Sequence, residues 1–304
     1  MDRIYDVIIA GAGPAGLTAG IYAARADLKT LLIERYGAGG QILNTYEVDN
    51  YPAMPGITGA ELGEKMSAHL DKFGVERVMA EITDIKFKEG ENAVVTDAGT
   101  FTGKTVILAT GNSPKKLGLP GEEELTGAGV SYCATCDGAF FRKRTVAVIG
   151  GGDVAVEDAI FLARGCEKVY LVHRRDELRA AKILQKALFA LDNVEVMWNS
   201  IPKEIKGAEE GAVQGLVIED VKSHESTVLD VAGVFIATGN TPNASYTDAI
   251  DKDEKGYIIA DESCRTSVPG IFAAGDIRAK RLRQVSTAVA DGANSVYSVQ
   301  EYLI

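Results

Sequence analysis

A chain of 304 residues exceeds the size at which a single hydrophobic core keeps growing, so its length favours two domains. Hydrophobic residues make up 46% and charged residues 25% of the chain, a composition typical of a globular protein that buries substantial cores. The net charge of -11 argues against a nucleic-acid-binding protein, because phosphate backbones require a basic face.

The first 34 residues have the pattern of a nucleotide-binding βαβ unit. Residues 6–10 and 30–33 are apolar runs that predict strands, and residues 17–26 predict a helix between them. The turn Gly11-Ala-Gly-Pro-Ala-Gly16 has the G-x-G-x-x-G spacing that lets a backbone approach a pyrophosphate at a helix N-terminus. Glu34 ends the second strand, where it is expected to accept hydrogen bonds from both ribose hydroxyls. The alternative is a tight turn followed by an incidental glutamate.

An internal echo predicts that one nucleotide-binding domain is inserted into another. VILATGNSP at residues 106–114 recurs as VFIATGNTP at residues 234–242, each after a stretch that alternates polar and apolar residues like an antiparallel meander. Residues 116–241 are therefore predicted to form the inserted domain, and residues 1–115 with 242–304 the other. The predicted fold class is α/β, with two Rossmann-like domains of three layers each, two of β-sheet and one of helices.

Just before the second nucleotide motif lies Cys133-Ala-Thr-Cys136. Zinc is disfavoured because no second ligand pair stands at finger or ribbon spacing, and thioredoxin-like folds carry this motif in shorter chains without nucleotide-binding folds. A redox pair beside two dinucleotide sites fits better. A nicotinamide hydride reaches sulfur through a flavin, so the first domain is expected to hold FAD. Asp137 is either the acid that protonates the leaving thiolate or a plain N-cap.

The inserted domain then repeats the nucleotide-binding pattern. Residues 146–149 predict a strand, residues 156–164 a helix, and the turn Gly150-Gly-Gly152-Asp-Val-Ala155 has G-x-G-x-x-A spacing. The basic residues at and beyond the position equivalent to Glu34 are His173, Arg174, Arg175 and Arg179. Because guanidinium groups bind a 2′-phosphate that an acid would repel, this copy is expected to prefer NADPH over NADH. A solvated basic helix start is the alternative.

The C-terminal part is predicted to close the first domain. Residues 268–277 predict a strand ending at Gly275-Asp276, and residues 281–296 continue toward a helix. Asp276 either reaches a ribityl or ribose hydroxyl or caps that helix. The remaining cysteines, Cys166 and Cys264, are interpreted as small semi-buried residues.

Taken together, these motifs resemble the low-molecular-weight, bacterial-type thioredoxin reductases over nearly the whole chain. The matching stretches are Gly11-Ala-Gly-Pro-Ala-Gly16, Gly39-Gly-Gln41, Asn50-Tyr-Pro52, Cys133-Ala-Thr-Cys136-Asp137-Gly138, Gly150-Gly-Gly152, His173-Arg-Arg175 with Arg179, Ala273-Ala-Gly-Asp276 and Arg283-Gln284.

The resemblance implies a homodimeric FAD enzyme that moves electrons from NADPH through the flavin and the Cys133–Cys136 disulfide to thioredoxin. It also implies rotation of the inserted domain about segments near Lys115-Lys116 and Thr241-Pro242. The implied catalytic residues are Cys133, Cys136 and Asp137. The implied FAD residues are Gly11, Gly13, Pro14, Ala15, Glu34, Gly40, Gln41, Asn50, Asp276, Arg283, Gln284 and Val285. The implied NADPH residues are Gly150, Gly152, Asp153, Val154, Ala155, His173, Arg174, Arg175 and Arg179.

A departure from the family pattern qualifies this interpretation. Val154 stands where the family usually has serine or threonine, and the missing hydroxyl weakens the expected hold on the pyrophosphate. The alternative function is a flavin disulfide reductase for another partner, such as a peroxiredoxin or glutaredoxin-like protein, or one reduced by ferredoxin.

The start of the chain lacks a signal-peptide pattern and no apolar run approaches a membrane span, so the expected location is cytoplasmic. No metal is expected.

Overall fold

A computed structural model of the chain describes residues 4–44, 48 and 50–304, without the side chains of Asn44, Thr135 and Cys136. The strands are β1 (Ile4–Ala10), β2 (Thr30–Glu34), β3 (Glu76–Met79), β4 (Ile82–Lys86), β5 (Asn92–Thr96), β6 (Gly99–Leu108), β7 (Asn112–Pro114), β8 (Val130–Ser131), β9 (Thr145–Gly150), β10 (Lys168–Val172), β11 (Val194–Met197), β12 (Ser200–Lys206), β13 (Gly215–Asp220), β14 (Ser226–Leu229), β15 (Gly233–Ala237), β16 (Asn240–Pro242) and β17 (Ile271–Ala273).

The α-helices are α1 (Pro14–Arg25), α2 (Gly59–Asp71), α3 (Ala134–Asp137), α4 (Asp153–Ala163), α5 (Lys182–Phe189) and α6 (Val285–Leu303). Three short 3₁₀ helices span Gly40–Asn44, Gly138–Phe141 and Gly275–Ile277. The chain divides into two compact units, of which unit 1 is Met1–Ser113 with Thr241–Ile304 and unit 2 is Pro114–Asn240. Among the described residues, no helix is both long enough and apolar enough to cross a membrane.

Unit 1 is built on one mixed sheet in the order β3-β2-β1-β6-β5-β4. The strands β3, β2, β1 and β6 are parallel, and β5 and β4 continue the sheet antiparallel. The first half of β6 pairs with β5 and its second half with β17, which lets one long strand join the meander to the C-terminal part of the chain.

Alternation along β1 explains the three layers of this unit. Val7 and Ile9 point into the core formed with α1 and α6. Ile8 and Ala10 point into the core on the other face, which also contains Ile85 of β4 and Val94 of β5. Both faces of the strand are covered, so its sequence reads as a continuous apolar run.

Unit 2 repeats this construction with a parallel sheet in the order β11-β10-β9-β15-β8. Val146 and Val148 of β9 pack on α4, while Ala147 and Ile149 pack against the separate antiparallel sheet β12-β13-β14. The predicted α/β class with two Rossmann-like units is therefore confirmed, and each unit has its own core on each face of its main sheet.

The helix starts were predicted three residues too late. Helix α1 begins at Pro14 and α4 at Asp153, inside the glycine turns, because these residues already have helical conformation before the apolar face of each helix begins. The stretch 281–296 was predicted to continue toward a helix, and α6 begins within it at Val285, with Gln284 as its N-cap.

Candidate redox and nucleotide-binding sites

The glycine turn of unit 1 brings backbone segments into close approach around the N-terminus of α1. Gly11 has a φ of +106°, and a Cβ on it would lie 2.4 Å from the carbonyl oxygen of Ala109. Gly13 is the N-cap residue of α1 and has no side chain with which to cap the helix. A Cβ on Gly40 would lie 2.9 Å from the Cα of Gly13. The first amides of α1 are therefore left for an external acceptor, as an anion site at a helix N-terminus requires.

Glu34 is held beside this turn by backbone amides. Its Oε2 accepts a hydrogen bond from Ala12 N at 2.7 Å, and its Oε1 accepts from Arg35 N at 2.8 Å and Tyr36 N at 3.2 Å. The carboxylate is thus oriented at the carboxyl end of β2, the edge of a parallel sheet where dinucleotides bind. The ribose-binding role of Glu34 stays a prediction.

A second group of predicted residues meets across a long stretch of sequence. Asn50 Nδ2 donates to Gln284 Oε1 at 2.9 Å, and Gln284 caps α6 through Thr287. The guanidinium of Arg283 lies 3.7 Å from the ring centroid of Tyr257. The buried Nε of Arg283 has no hydrogen-bond partner among the described residues, so it can donate to a bound ligand. Arg283 lies two residues before Val285, the first residue of α6.

Gln41 and Asp276 are placed near the same turn by further contacts. Gln41 Nε2 donates to the Asn112 carbonyl at 2.9 Å, and the buried Asn112 Oδ1 has no partner within the described part of the chain. A Cβ on Gly275 would lie 2.9 Å from the Cβ of Ala15, so the 3₁₀ turn that carries Asp276 packs directly on the first turn of α1.

These residues fit FAD. A long anionic dinucleotide with a polyol chain needs a glycine-lined helix N-terminus, an oriented carboxylate and further polar partners, and unit 1 offers these together with two orphaned buried polar atoms, Arg283 Nε and Asn112 Oδ1. The sequence interpretation missed Asn112 and Tyr257. No local motif marks either residue, although Asn112 follows the repeated Ala-Thr-Gly turn.

The glycine turn of unit 2 is similarly tight on one side and open on the other. A Cβ on Gly150 would lie 2.4 Å from the Ala237 carbonyl oxygen, and one on Gly151 would lie 2.2 Å from the imidazole of His173. A Cβ on Gly152 would meet nothing within 4 Å. The N-terminus of α4 therefore faces open space, with Val154 exposed beside it.

The basic residues of unit 2 divide into one buried and three exposed side chains. His173 lies beneath the glycine turn, its Nε2 is 2.9 Å from the Glu177 carbonyl, and burial lowers the pKa of its imidazole. It therefore supports the turn as a neutral ring. The exposed residues are Arg174, Arg175 and Arg179.

Two backbone contacts dock the basic segment onto the start of α4. Arg179 N donates to the Gly151 carbonyl at 2.8 Å, and Ala181 N donates to Asp153 Oδ1 at 2.7 Å. The backbone of Arg179 is thereby fixed to the glycine turn that would bind a diphosphate, and its exposed guanidinium is carried next to that turn. The arrangement fits NADPH, because the extra 2′-phosphate requires cations next to the nucleotide turn.

Cys133 is disulfide-bonded and lies immediately before the four-residue helix α3. Its backbone N donates to Ser131 Oγ at 3.0 Å, and its carbonyl accepts from Asp137 N at 3.2 Å. A Cβ on Gly138 would lie 2.9 Å from Leu162 Cδ2 and 3.0 Å from Phe161 Cε1, so this segment packs on α4, the helix of the nucleotide turn. The side chain of Cys136 lies outside the described residues.

The two other cysteines are buried free thiols. Burial raises the pKa of Cys166 to about 11 and that of Cys264 to about 12, so neither is a thiolate near neutral pH. Within the described ranges, no three His, Cys, Asp or Glu side chains are grouped so as to hold a metal ion.

Comparison with known proteins bears on both units at once. The profile of the family described as pyridine nucleotide-disulphide oxidoreductase matches residues 5–292. A thioredoxin reductase from Listeria monocytogenes is 46% identical over 303 residues, covering 99% of this chain and 95% of the relative. A thioredoxin reductase from Bacillus subtilis is 46% identical over 305 residues, covering 99% and 96%. A crystal structure of Lactococcus lactis thioredoxin reductase has a TM-score of 0.95 and 45% identity, covering 98% of this chain and 99% of that one.

Proposed function

The chain belongs to the pyridine nucleotide-disulphide oxidoreductase family, and from that premise we propose that it is an NADPH-dependent thioredoxin-disulfide reductase. Its cofactors are FAD and NADPH. The observation that carries the proposal is that a disulfide-bonded cysteine, Cys133, stands in a segment that packs on α4, the helix that begins at the nucleotide turn of unit 2.

In this proposal unit 1 corresponds to the FAD-binding domain, predicted as residues 1–115 and 242–304, within two residues of the bounds of unit 1. Bound FAD supplies a two-electron relay between a nicotinamide hydride and a disulfide. The N-terminus of α1 binds the pyrophosphate, and Glu34 accepts hydrogen bonds from a ribose. The residues that bind the rest of the cofactor are Gly11, Gly13, Pro14, Ala15, Gly40, Gln41, Asn50, Asp276, Arg283, Gln284 and Val285.

Unit 2 correspondingly matches the NADPH-binding domain, predicted as residues 116–241, within two residues of the bounds of unit 2. The open N-terminus of α4 binds the pyrophosphate, Arg174, Arg175 and Arg179 bind the 2′-phosphate, and neutral His173 supports the turn from beneath. The residues of the turn itself are Gly150, Gly152, Asp153, Val154 and Ala155.

Disulfide exchange is assigned to Cys133 and Cys136, which we propose form one disulfide in the resting enzyme. Two electrons and two protons convert that disulfide to a dithiol, and one of the thiolates then attacks the thioredoxin disulfide to form a mixed disulfide. Attack by the second thiolate restores the enzyme disulfide and releases thioredoxin as a dithiol. Asp137, next to Cys136, holds the proton that the leaving thiolate takes up.

Because the nicotinamide and the disulfide belong to the same unit, they must take turns at the flavin. We place the pivots for a rotation of unit 2 near Lys115-Lys116 and Thr241-Pro242. We further propose a homodimer in the cytoplasm, where the two buried free thiols would stay reduced.

Substituting the two cysteines tests this function. Purified protein should be yellow, and NADPH should bleach its flavin absorption. Cys133→Ser and Cys136→Ser should keep the flavin and the NADPH-to-dye activity but lose thioredoxin reduction by at least about 100-fold, because the dithiol step is removed. Cys166→Ser is the matched control and should retain both activities. A colourless wild-type protein, or thioredoxin reduction that survives in both variants, would refute the assignment.

A further inference from the structure

A compact group of buried charges lies in unit 1 beside the start of α6. The side chains of Arg278, Lys280 and Asp291 are only 6%, 7% and 6% exposed. Asp291 Oδ2 accepts hydrogen bonds from Arg278 Nε at 3.0 Å, Lys280 Nζ at 3.0 Å and Gly275 N at 2.9 Å. One carboxylate oxygen of α6 thus fixes two cations and the turn that precedes Asp276.

Lys280 reaches beyond Asp291. Its Nζ donates to Thr287 Oγ1 at 3.2 Å and lies 3.9 Å from Asp276 Oδ1, so the ammonium stands between two carboxylates. Arg278 alone would neutralise Asp291, and with Lys280 the two cations balance Asp291 and Asp276. Without Lys280, Arg283 would be the remaining cation that favours the charged form of Asp276, and Asp276 would face the Asp291 carboxylate without the ammonium between them, which disfavours ionisation of Asp276.

Asp276 is the carboxyl group that depends on this balance. Burial raises its pKa, nearby Lys280 and Arg283 lower it, and Asp291 raises it again. An ionised carboxylate accepts hydrogen bonds from hydroxyl groups through both oxygens, whereas a protonated one loses part of that capacity. The state of Asp276 therefore decides how well it can hold a polyol.

We propose that Lys280 is a positioning residue for the flavin cofactor: its ammonium keeps the Asp276 carboxylate ionised and oriented to accept hydrogen bonds from the polyol chain of FAD. This inference rests on the proposed FAD site of unit 1. The sequence offered no signal for it, because Lys280 lies in the loop between the strand that precedes Asp276 and α6, outside any recognised motif.

The other groups around the cluster have other partners. The guanidinium of Arg283, which also lowers the pKa of Asp276, lies 3.7 Å from the Tyr257 ring centroid and donates to the Arg278 carbonyl at 3.3 Å. Arg278 also donates to the carbonyls of Ala260 at 3.2 Å and Asp261 at 2.8 Å, and it lies 3.9 Å from the exposed Glu262 carboxylate. The Cys264 thiol donates to the Asp291 carbonyl and stays neutral near pH 7, since its pKa is raised to about 12. Helix α1 contributes the methyl group of Ala15 against Gly275.

The sign of the pH dependence follows from these contacts. Removing the ammonium by Lys280→Met removes a cause that lowers the pKa of Asp276, so that pKa rises further. A carboxylate with a raised pKa is protonated as the pH falls. FAD binding by the variant should therefore weaken at low pH and recover toward high pH.

The test is a fluorescence titration of full-length apoprotein with FAD between pH 5.5 and 8.5. Wild type should show a nearly constant Kd across this range, while Lys280→Met should bind at least about 10-fold more weakly at pH 5.5 than at pH 8.5. Lys280→Arg, which keeps the charge, should restore the flat profile. Lys252→Met removes another partly buried lysine of unit 1, 3.3 Å from Asp248, and should match wild type.

The Asp276→Asn background isolates the mechanism. There the titrating carboxyl is absent, so adding Lys280→Met should introduce no pH dependence. The inference would be overturned if Lys280→Met had the wild-type pH profile of FAD binding. It would also be overturned if Lys280→Met weakened FAD binding equally at every pH and by the same factor in the wild-type and Asp276→Asn backgrounds. An Asp276→Asn variant that binds FAD as well as wild type would do the same. Failure of the wild-type protein itself to bind FAD would instead overturn the proposed function.

Discussion

At the residue scale, Asp158 on α4 is a carboxyl group whose surroundings oppose its charge. Burial, and to a smaller extent Glu157, raises its pKa to about 7. Because this folded-state pKa lies above the usual aspartate value near 4, the folded protein binds more protons than the unfolded chain between about pH 4 and 7, and its stability falls as the pH rises through that window.

Asp158→Asn should therefore stabilise the protein at pH 8 and leave it nearly unchanged at pH 4, where the native carboxyl is already protonated. We expect a gain of about 1–3 kcal/mol in the free energy of unfolding at pH 8, reduced from the full linkage value because the side chain is partly solvated. Urea unfolding at both pH values measures this. Asp192→Asn, an exposed carboxylate of the same unit, is the control, and an equal gain at both pH values would contradict the pKa explanation.

At the element scale, the segment that enters unit 2 is tied to the residue before Cys133. The carboxylate of Glu122, only 2% exposed, accepts hydrogen bonds from Leu117 N at 2.9 Å, Leu119 N at 3.0 Å and the Tyr132 hydroxyl at 2.6 Å. Burial, together with the adjacent Glu122 carboxylate, raises the pKa of Tyr132, so its hydroxyl remains a donor. We name this contact the Glu122–Tyr132 tether. It restrains the residue that immediately precedes Cys133.

Tyr132→Phe should loosen that segment while keeping the ring in place. Leaving a buried carboxylate one donor short costs about 1–3 kcal/mol, so the free energy of unfolding should fall by that amount. Thioredoxin reduction should fall several-fold, while NADPH-to-dye activity stays unchanged. Steady-state assays of both reactions and urea unfolding measure the effect. Tyr297→Phe, at a side chain that is 66% exposed, is the control and should change neither the activities nor the stability. An equal loss of both activities in Tyr132→Phe would contradict a role of the tether specific to the cysteine pair.

The same elements show what sequence can and cannot predict. The glycine turns, Glu34 and the two cysteines could be predicted as site residues from sequence, because each is recognised by short spacing along the chain. Contacts such as Asn50 to Gln284, 234 residues apart, join loops whose meeting depends on the completed fold. His173 illustrates a third case: aligning the two glycine turns predicted a site residue at this position, but the burial of its side chain under Gly151 depends on Trp198 and Glu177, which pack around it in the folded chain.

At the scale of the whole molecule, the two units have independent cores. The two cores of unit 2 contain only residues between 117 and 237, and those of unit 1 only residues outside that range. Unit 2 is also one continuous stretch, Pro114–Asn240, whereas unit 1 is assembled from two stretches. A continuous stretch of chain with its own cores is expected to fold alone, because all the residues of those cores lie within it.

Residues 114–240 expressed alone should therefore unfold cooperatively and bind NADPH without retaining FAD. Arg174→Leu/Arg175→Leu in this fragment should weaken NADPH binding by at least about 30-fold and leave NADH binding nearly unchanged, since each of the two lost contacts to the 2′-phosphate is charge-assisted and worth at least about 1 kcal/mol. Calorimetric titration with both nucleotides measures the difference, and Lys222→Leu, on an exposed turn of the same unit, is the control. A folded fragment that binds NADH and NADPH equally would remove the arginines from the nucleotide site, and one that retains FAD would reverse the assignment of the two units.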